Sequence, residues 1–316
     1  MFSRRSFLIS TAAVLSSQAL GGCSGNGNKL NVRLLRDSVP PLLLREFRQQ
    51  LQRGTGIDLN PEAQLQDLWD LLENWRDSSQ SSERSLLFWR NQPRVADLVT
   101  LGDYWLKAAI QENLISPLDE VEQLSGWNNL PPRWQNLARL NQQGEVDSDG
   151  KIWGAPYRWG TLLIAYRQDL FTDLGWLPTD WDDLWREEMR DRVSIIDHPR
   201  AVIGLVLKKL GSSFNTVDLA TVENLESELK RLNEQILSYN SQAYLQPLIL
   251  GDTSIAVGWS NEILPIVERN PNIAVVVPQS GTALWSDLWV KPTSQENNST
   301  IAADWINFCW QPRPAN

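Results

Sequence analysis

The sequence predicts an α/β protein of two domains or one two-lobed unit. Apolar runs at strand period alternate with runs at helix period through residues 30–111, the pattern of a parallel sheet with covering helices. The length of 316 residues exceeds one ordinary domain, and an apolar content of 42% is enough to build the cores.

Leu30 to Leu35 is the first strand. Pro40 and Pro41 open a helix with apolar Leu43, Leu44, Phe47 and Leu51, and Gly54 closes it. Ile57 and Leu59 mark a short second strand. Leu65, Leu68, Trp69, Leu72 and Trp75 recur at helical spacing, and residues 77–84 read as a polar loop. Ala96 to Leu101 is the third strand and Asp103 to Gln111 a helix. Ligands of such sheets lie beyond the C-terminal strand ends, where Gly102, Asp103, Tyr104 and Trp105 stand. Asp103 serves equally well there as a helix cap.

Asp149-Gly150 is a hairpin turn. Asp147 to Gly150 matches only the start of a calcium loop, so the turn reading holds. Ala155 to Gly160 leads into an apolar strand, Thr161 to Tyr166. Thr179 with Asp182 forms a variant capping box. Val193 to Ile196 is a strand, and Pro199 starts a helix that Gly211 ends, with His198 capping or flanking it. Leu219 to Leu237 reads as one long amphipathic helix, and Ser254 to Trp259 as a strand. Ile301 to Trp310 is a last apolar helix carrying Cys309 as a buried thiol.

The stretch Val275 to Pro292 reads as strand, turn, strand, broken at Pro278 and Gly281. At a period of two, Trp285, Asp287 and Trp289 share one face. A carboxylate between indoles is an odd choice for a core. Aromatic walls with one carboxylate hold an ammonium by cation–π attraction and a charge-assisted hydrogen bond. The alternative is that the indoles are core and Asp287 a turn or rim residue.

Composition excludes several classes. A formal charge of −9, more acidic still once Arg4 and Arg5 leave with the first 23 residues, argues against nucleic acid. A single His disfavours an imidazole-based metal site, and no metal or other cofactor is expected. Ser3-Arg4-Arg5-Ser6-Phe7-Leu8 looks like a twin-arginine export signal. The apolar run from Phe7 to Leu20 is too short and too polar to span a membrane. Leu20-Gly21-Gly22-Cys23 resembles a lipoprotein box, in which Cys23 is acylated and becomes the mature N-terminus. Residues 24–28 are then a flexible tether, and Cys309 is left without a disulfide partner.

Several stretches together resemble one family. These are Ala155 to Gly160; Trp181-Asp182-Asp183-Leu184-Trp185; Arg192 to Asp197; Arg200 to Gly204; Val257-Gly258-Trp259-Ser260; and Trp285-Ser286-Asp287. With the export signal and tether, they are similar to bacterial extracellular solute-binding proteins of ABC importers, most closely the spermidine/putrescine-binding group. The resemblance covers about residues 29–312. It implies a two-lobed, type II-like periplasmic binding protein fold. Each lobe is a mixed sheet covered by helices, with the ligand cleft at the hinge. Approximate lobes are 29–157 with 287–316, and 158–286. It implies a monomeric, non-enzymatic receptor on the periplasmic face of the cell membrane, anchored by lipid on Cys23, that delivers a polyamine to permease and ATPase subunits.

The resemblance also supplies roles. Asp287 matches the carboxylate that holds a ligand ammonium, and Trp285 and Trp259 match the indoles along the methylene chain. Ser241 falls at a polar contact, Tyr104 near the aromatic after the third strand, and Trp289 stays a core residue. There are departures. No aromatic follows the first strand in Leu35 to Pro40, and His198 and Ala201 stand where the family often has an acidic pair. Asp197, Asp103 and Glu262 remain for a second ammonium. Family members also run on for several helices beyond the position matching Trp305. Two alternatives stay open: the same fold for another solute or a metal ion, and a surface carbohydrate hydrolase. Iron sites of this fold use paired tyrosines, which are not adjacent here. A glycosidase needs two carboxylates at a set separation, and no nucleophile elbow or Ser-His-Asp order is present.

Overall fold

In the computed structural model, residues 29–80, 94–295 and 300–311 are described. The leader, Cys23 and the tether lie outside them. Two compact units form. Among the described residues, the first comprises those up to Leu101, Leu106–Ala155 and those from Trp289; the second comprises Gly102–Trp105 and Pro156–Leu288.

The first unit begins with β1 (Lys29–Leu35), whose Leu30, Val32 and Leu34 alternate inward. Helix α1 (Pro41–Gln50) starts on proline and buries Phe47. Strand β2 (Gly56–Glu62) runs parallel to β1, and its Pro61 is tolerated because β2 is the sheet edge. Helix α2 (Leu65–Gln80) buries Leu68, Trp69, Leu72 and Trp75. It continues through residues 77–80, where a loop is predicted. Ser78 there donates to the Asn74 carbonyl at 2.6 Å and prolongs the last turn. Strand β3 (Leu98–Gly102) is buried throughout and lies parallel to β1.

After a 3₁₀ turn come α3 (Leu106–Gln111), β4 (Ile115–Ser116), α4 (Pro132–Ala138), β5 (Arg139–Leu140) and β6 (Lys151–Ile152). The β5–β6 hairpin closes where the Gly150 N–H donates to the Asp147 carbonyl.

The second unit holds β7 (Ala155–Arg167, in this unit from Pro156), α5 (Gln168–Leu174), β8 (Val193–Ile195), α6 (Pro199–Lys209), α7 (Leu225–Asn233), β9 (Ile236–Tyr239), α8 (Leu245–Leu250), β10 (Ile255–Trp259), α9 (Ser260–Arg269), β11 (Ile273–Val276) and β12 (Leu284–Pro292, in this unit as far as Leu288). Its strand order is β12-β7-β10-β8-β9, with β11 also on β7. Strands β10, β8 and β9 are parallel, while β7 runs antiparallel to β10 with Trp259 opposite Leu162. The core packs Leu162, Ile164, Phe171, Trp181, Leu205 and Val257 among others.

The chain returns to the first unit at Trp289, within β12, and α10 (Thr300–Cys309) follows there. Trp305, fully buried, meets Phe47 edge-on at 4.9 Å and Trp289 at 5.9 Å, which places Trp289 in the core.

Three further predicted details change. The capping box falls one residue later, on Asp180 and Asp183. Asp183 is the buried acid that accepts from Thr179 and Asp180 N–H, while Asp182 pairs outward with Lys209. The long helix over Leu219–Leu237 is broken into a 3₁₀ turn, α7 and β9. Asn224 at φ 63° starts α7, and Ile236–Tyr239 gains a ladder on β8 that outweighs helical periodicity. Cys309 is half-buried.

Candidate ligand-binding face

Three parallel strands of the second unit end together. Beyond β8 lie Asp197 and His198, beyond β9 Asn240 and Ser241, and at the end of β10 Trp259. This C-terminal edge is where open α/β sheets carry ligands. The entering half of antiparallel β7, with Arg158 and Gly160, runs past the same edge, and β12 lies beside β7.

Trp285 packs closely on β7 because residue 160 is glycine. A Cβ there would stand 2.4 Å from Trp285 Cζ2 and 2.8 Å from Ser260 Oγ. Trp259 meets Trp285 edge to face, at 6.1 Å between centroids and 81°. The Trp259 N–H donates to the buried Tyr244 hydroxyl at 3.1 Å, which in turn engages Glu262. On the other side, the His198 ring lies edge-on to Trp259 at 5.4 Å and 83°. His198 Nδ1 accepts the Ala201 N–H at 3.3 Å, capping α6. Burial lowers the His198 pKa, which suits a neutral imidazole whose Nδ1 is an acceptor.

Asp287 is 2% exposed. Arg158 Nε donates to its Oδ2 at 2.6 Å, and the Arg158 guanidinium lies 5.3 Å from the Trp285 ring centroid. Burial raises the Asp287 pKa against the lowering pull of Arg158. Neighbouring Ser286 is also buried, and its hydroxyl donates to the Arg158 carbonyl at 3.0 Å.

Asp103 joins this group through the Ser286 N–H. Burial pushes its pKa up to about 6, opposed by the Ser286 and Tyr104 N–H groups and the Arg200 charge. Tyr104 is 42% exposed, packs on Trp105 at 4.7 Å, and is raised to about 12 by burial and then by the charges of Asp287 and Asp103. Desolvation also raises Glu262, with Tyr244 and Arg158 pulling it down.

Trp259, Trp285 and Asp287 therefore come together, with Asp103 and Tyr104 alongside. Asp197 and Ser241 are exposed and bound to each other, since the Ser241 hydroxyl donates to the Asp197 carbonyl at 2.8 Å. They reach the indole wall through His198, which follows Asp197 in the chain. Arg158 is the participant that sequence reasoning missed. Its period-two relation to Gly160 on β7 hints at a shared face, but no local signal points to a partner 129 residues away. Among the described residues, no group of three or more His, Cys, Asp or Glu could hold a metal ion.

An indole wall with buried carboxylates at a sheet's C-terminal edge is the equipment of a small-solute receptor. The chain belongs to the family of bacterial extracellular solute-binding proteins, which matches residues 94–316; such proteins are the substrate-binding components of transporters, not enzymes. The spermidine/putrescine-binding periplasmic protein of Escherichia coli is 26% identical over 274 residues, covering 87% of this chain and 70% of that protein. The solved spermidine/putrescine ABC transporter substrate-binding protein of Streptococcus pneumoniae matches with a TM-score of 0.71 at 25% identity, covering 90% of this chain and 78% of that one. The Tp0655 lipoprotein of Treponema pallidum matches with a TM-score of 0.69 at 19% identity, covering 90% and 81%, and speaks to fold alone. The fold is the two-lobed α/β fold of periplasmic binding proteins. Among the described residues, no helix is long and apolar enough to cross a membrane.

Proposed function

We propose that this solute-binding protein captures a polyamine of the spermidine/putrescine class for an ABC importer. The observation that carries the reading is the juxtaposition of Trp259, Trp285 and buried Asp287 on one unit. Indole faces suit a methylene chain, and a desolvated carboxylate suits an ammonium. Asp103, Glu262 and Asp197 are the further acids available to a second ammonium. The names of the relatives point the same way. Export by the twin-arginine route and anchoring by lipid on Cys23 complete the proposal, on the motifs Arg4-Arg5 and Leu20-Gly21-Gly22-Cys23. A polyamine receptor purified from its native cells under mild conditions carries a di- or triamine. Mass spectrometry of the released solute tests this, and a solute without amino groups overturns it.

A further inference from the structure

Arg158 has the contacts that a ligand cation would have. Its guanidinium donates to Asp287 Oδ2 at 2.6 Å, lies over Trp285 at 5.3 Å, and adds its charge beside Glu262. The Arg158 and Asp287 side chains are 21% and 3% exposed, so the pair is largely withdrawn from water. Carboxylate below and indole face alongside are the two elements that recognise an ammonium. Here the chain itself fills both. An arriving amine therefore exchanges with a tethered cation instead of meeting a vacant carboxylate.

The exchange has a cost that the sheet sets. Arg158 is fixed on β7, and the Ser286 hydroxyl holds its carbonyl. Displacement leaves the backbone in place and moves the guanidinium off Asp287 toward the water it already partly meets.

Resting on the reading of Asp287 as a cation receptor, we infer that Arg158 is a built-in competitor for the ammonium position and sets amine selectivity. It lowers the affinity of every amine that needs Asp287. It penalises a ligand least when that ligand's binding does not depend on this one carboxylate.

The test uses the purified protein, Arg158→Met, and Arg158→Met/Asp287→Asn. Each is titrated calorimetrically with putrescine and spermidine at pH 8, and each is melted with and without methylguanidinium. Losing the competing charge-assisted bond tightens amine binding by Arg158→Met roughly 10- to 100-fold. The double variant loses that gain. Methylguanidinium, which replaces the missing head group, raises the melting temperature of Arg158→Met saturably and leaves the double variant unmoved. If the parent binds amines and Arg158→Met binds them no more tightly, the competitor role is wrong and the polyamine reading stands. If no protein binds amines while methylguanidinium still stabilises Arg158→Met alone, Arg158 keeps its place on Asp287 and the polyamine reading fails. The absence of both an amine gain and a methylguanidinium effect overturns the inference. If Arg158→Met does not fold, Arg158→Lys carries the same comparison. A smaller gain, again abolished by Asp287→Asn, supports the inference, and no gain overturns it.

Discussion

Replacing Asp287 by Asn leaves shape nearly intact and removes a charge that Arg158 neutralises. Without the partner, a guanidinium with only 21% of its side chain exposed faces a neutral amide across 2.6 Å. Removing one member of a buried ion pair costs about 3–5 kcal/mol. Arg158 can swing further toward solvent, so the expected loss lies near the lower end, about 3 kcal/mol. In a body of this size, that lowers the melting temperature by roughly 6–12 °C. Arg158→Met alone strands a carboxylate that burial already disfavours, so it is destabilised as well. The double variant removes both charges and recovers much of the loss. Urea unfolding of the parent, both single variants and the double variant measures the coupling, expected at roughly 1.5–3 kcal/mol for a charge-assisted pair. A single-variant loss within about 0.5 kcal/mol of zero, with no coupling, would refute the pairing. Asp287 would then be a rim residue.

Further predictions follow from the same face. Gly160→Ala drives a methyl to 2.4 Å from Trp285 Cζ2, so the indole must leave β7. The expected cost is about 1–3 kcal/mol of stability, and near-UV circular dichroism should report a displaced tryptophan. An unchanged spectrum and melt would show that Trp285 does not rest there. Asp103 titrates near 6 in the folded protein, above its free value of 3.8. Its contribution to stability is therefore complete below the free value and is lost as pH rises through about 6. Amine affinity runs the other way, falling by up to about tenfold per pH unit below about 6 as the carboxylate protonates. Asp103→Asn should flatten this binding profile, and a parent profile that is already flat between pH 5 and 8 would remove Asp103 from the site. Cys23→Ala should move the protein from the membrane fraction to the soluble periplasmic fraction, whereas retention with the membrane would place the anchor elsewhere.

Patterns that depend on neighbouring residues were legible in the sequence. Alternation in β1, helical spacing in α2 and the proline starts of α1 and α6 gave the right elements because local sterics and burial period set them. The stretch Leu219–Leu237 misled because its helical period runs on into Ile236–Tyr239, and only the parallel ladder on β8 makes those residues a strand. The capping box was one residue off because Asp180, Asp182 and Asp183 are alike in type, and tertiary packing decides which acid is buried. At the site, the period of two set Trp285 and Asp287 on one face, while Trp259 and the roles of all three came from the family resemblance. Arg158 could not be named, because its meaning comes from a strand more than a hundred residues later in the chain. Asp287 reads in the sequence as a carboxylate open to a ligand, whereas a side chain already holds it.

Titration calorimetry of the purified protein and Asp287→Asn with putrescine and spermidine, in parallel with thermal melts, tests the central claim most directly. Saturable one-to-one binding by the parent is expected, with a roughly 10- to 100-fold loss in a variant that remains folded at the titration temperature. Equal affinities in the two proteins, or no binding of either amine by a folded parent, would contradict the claim.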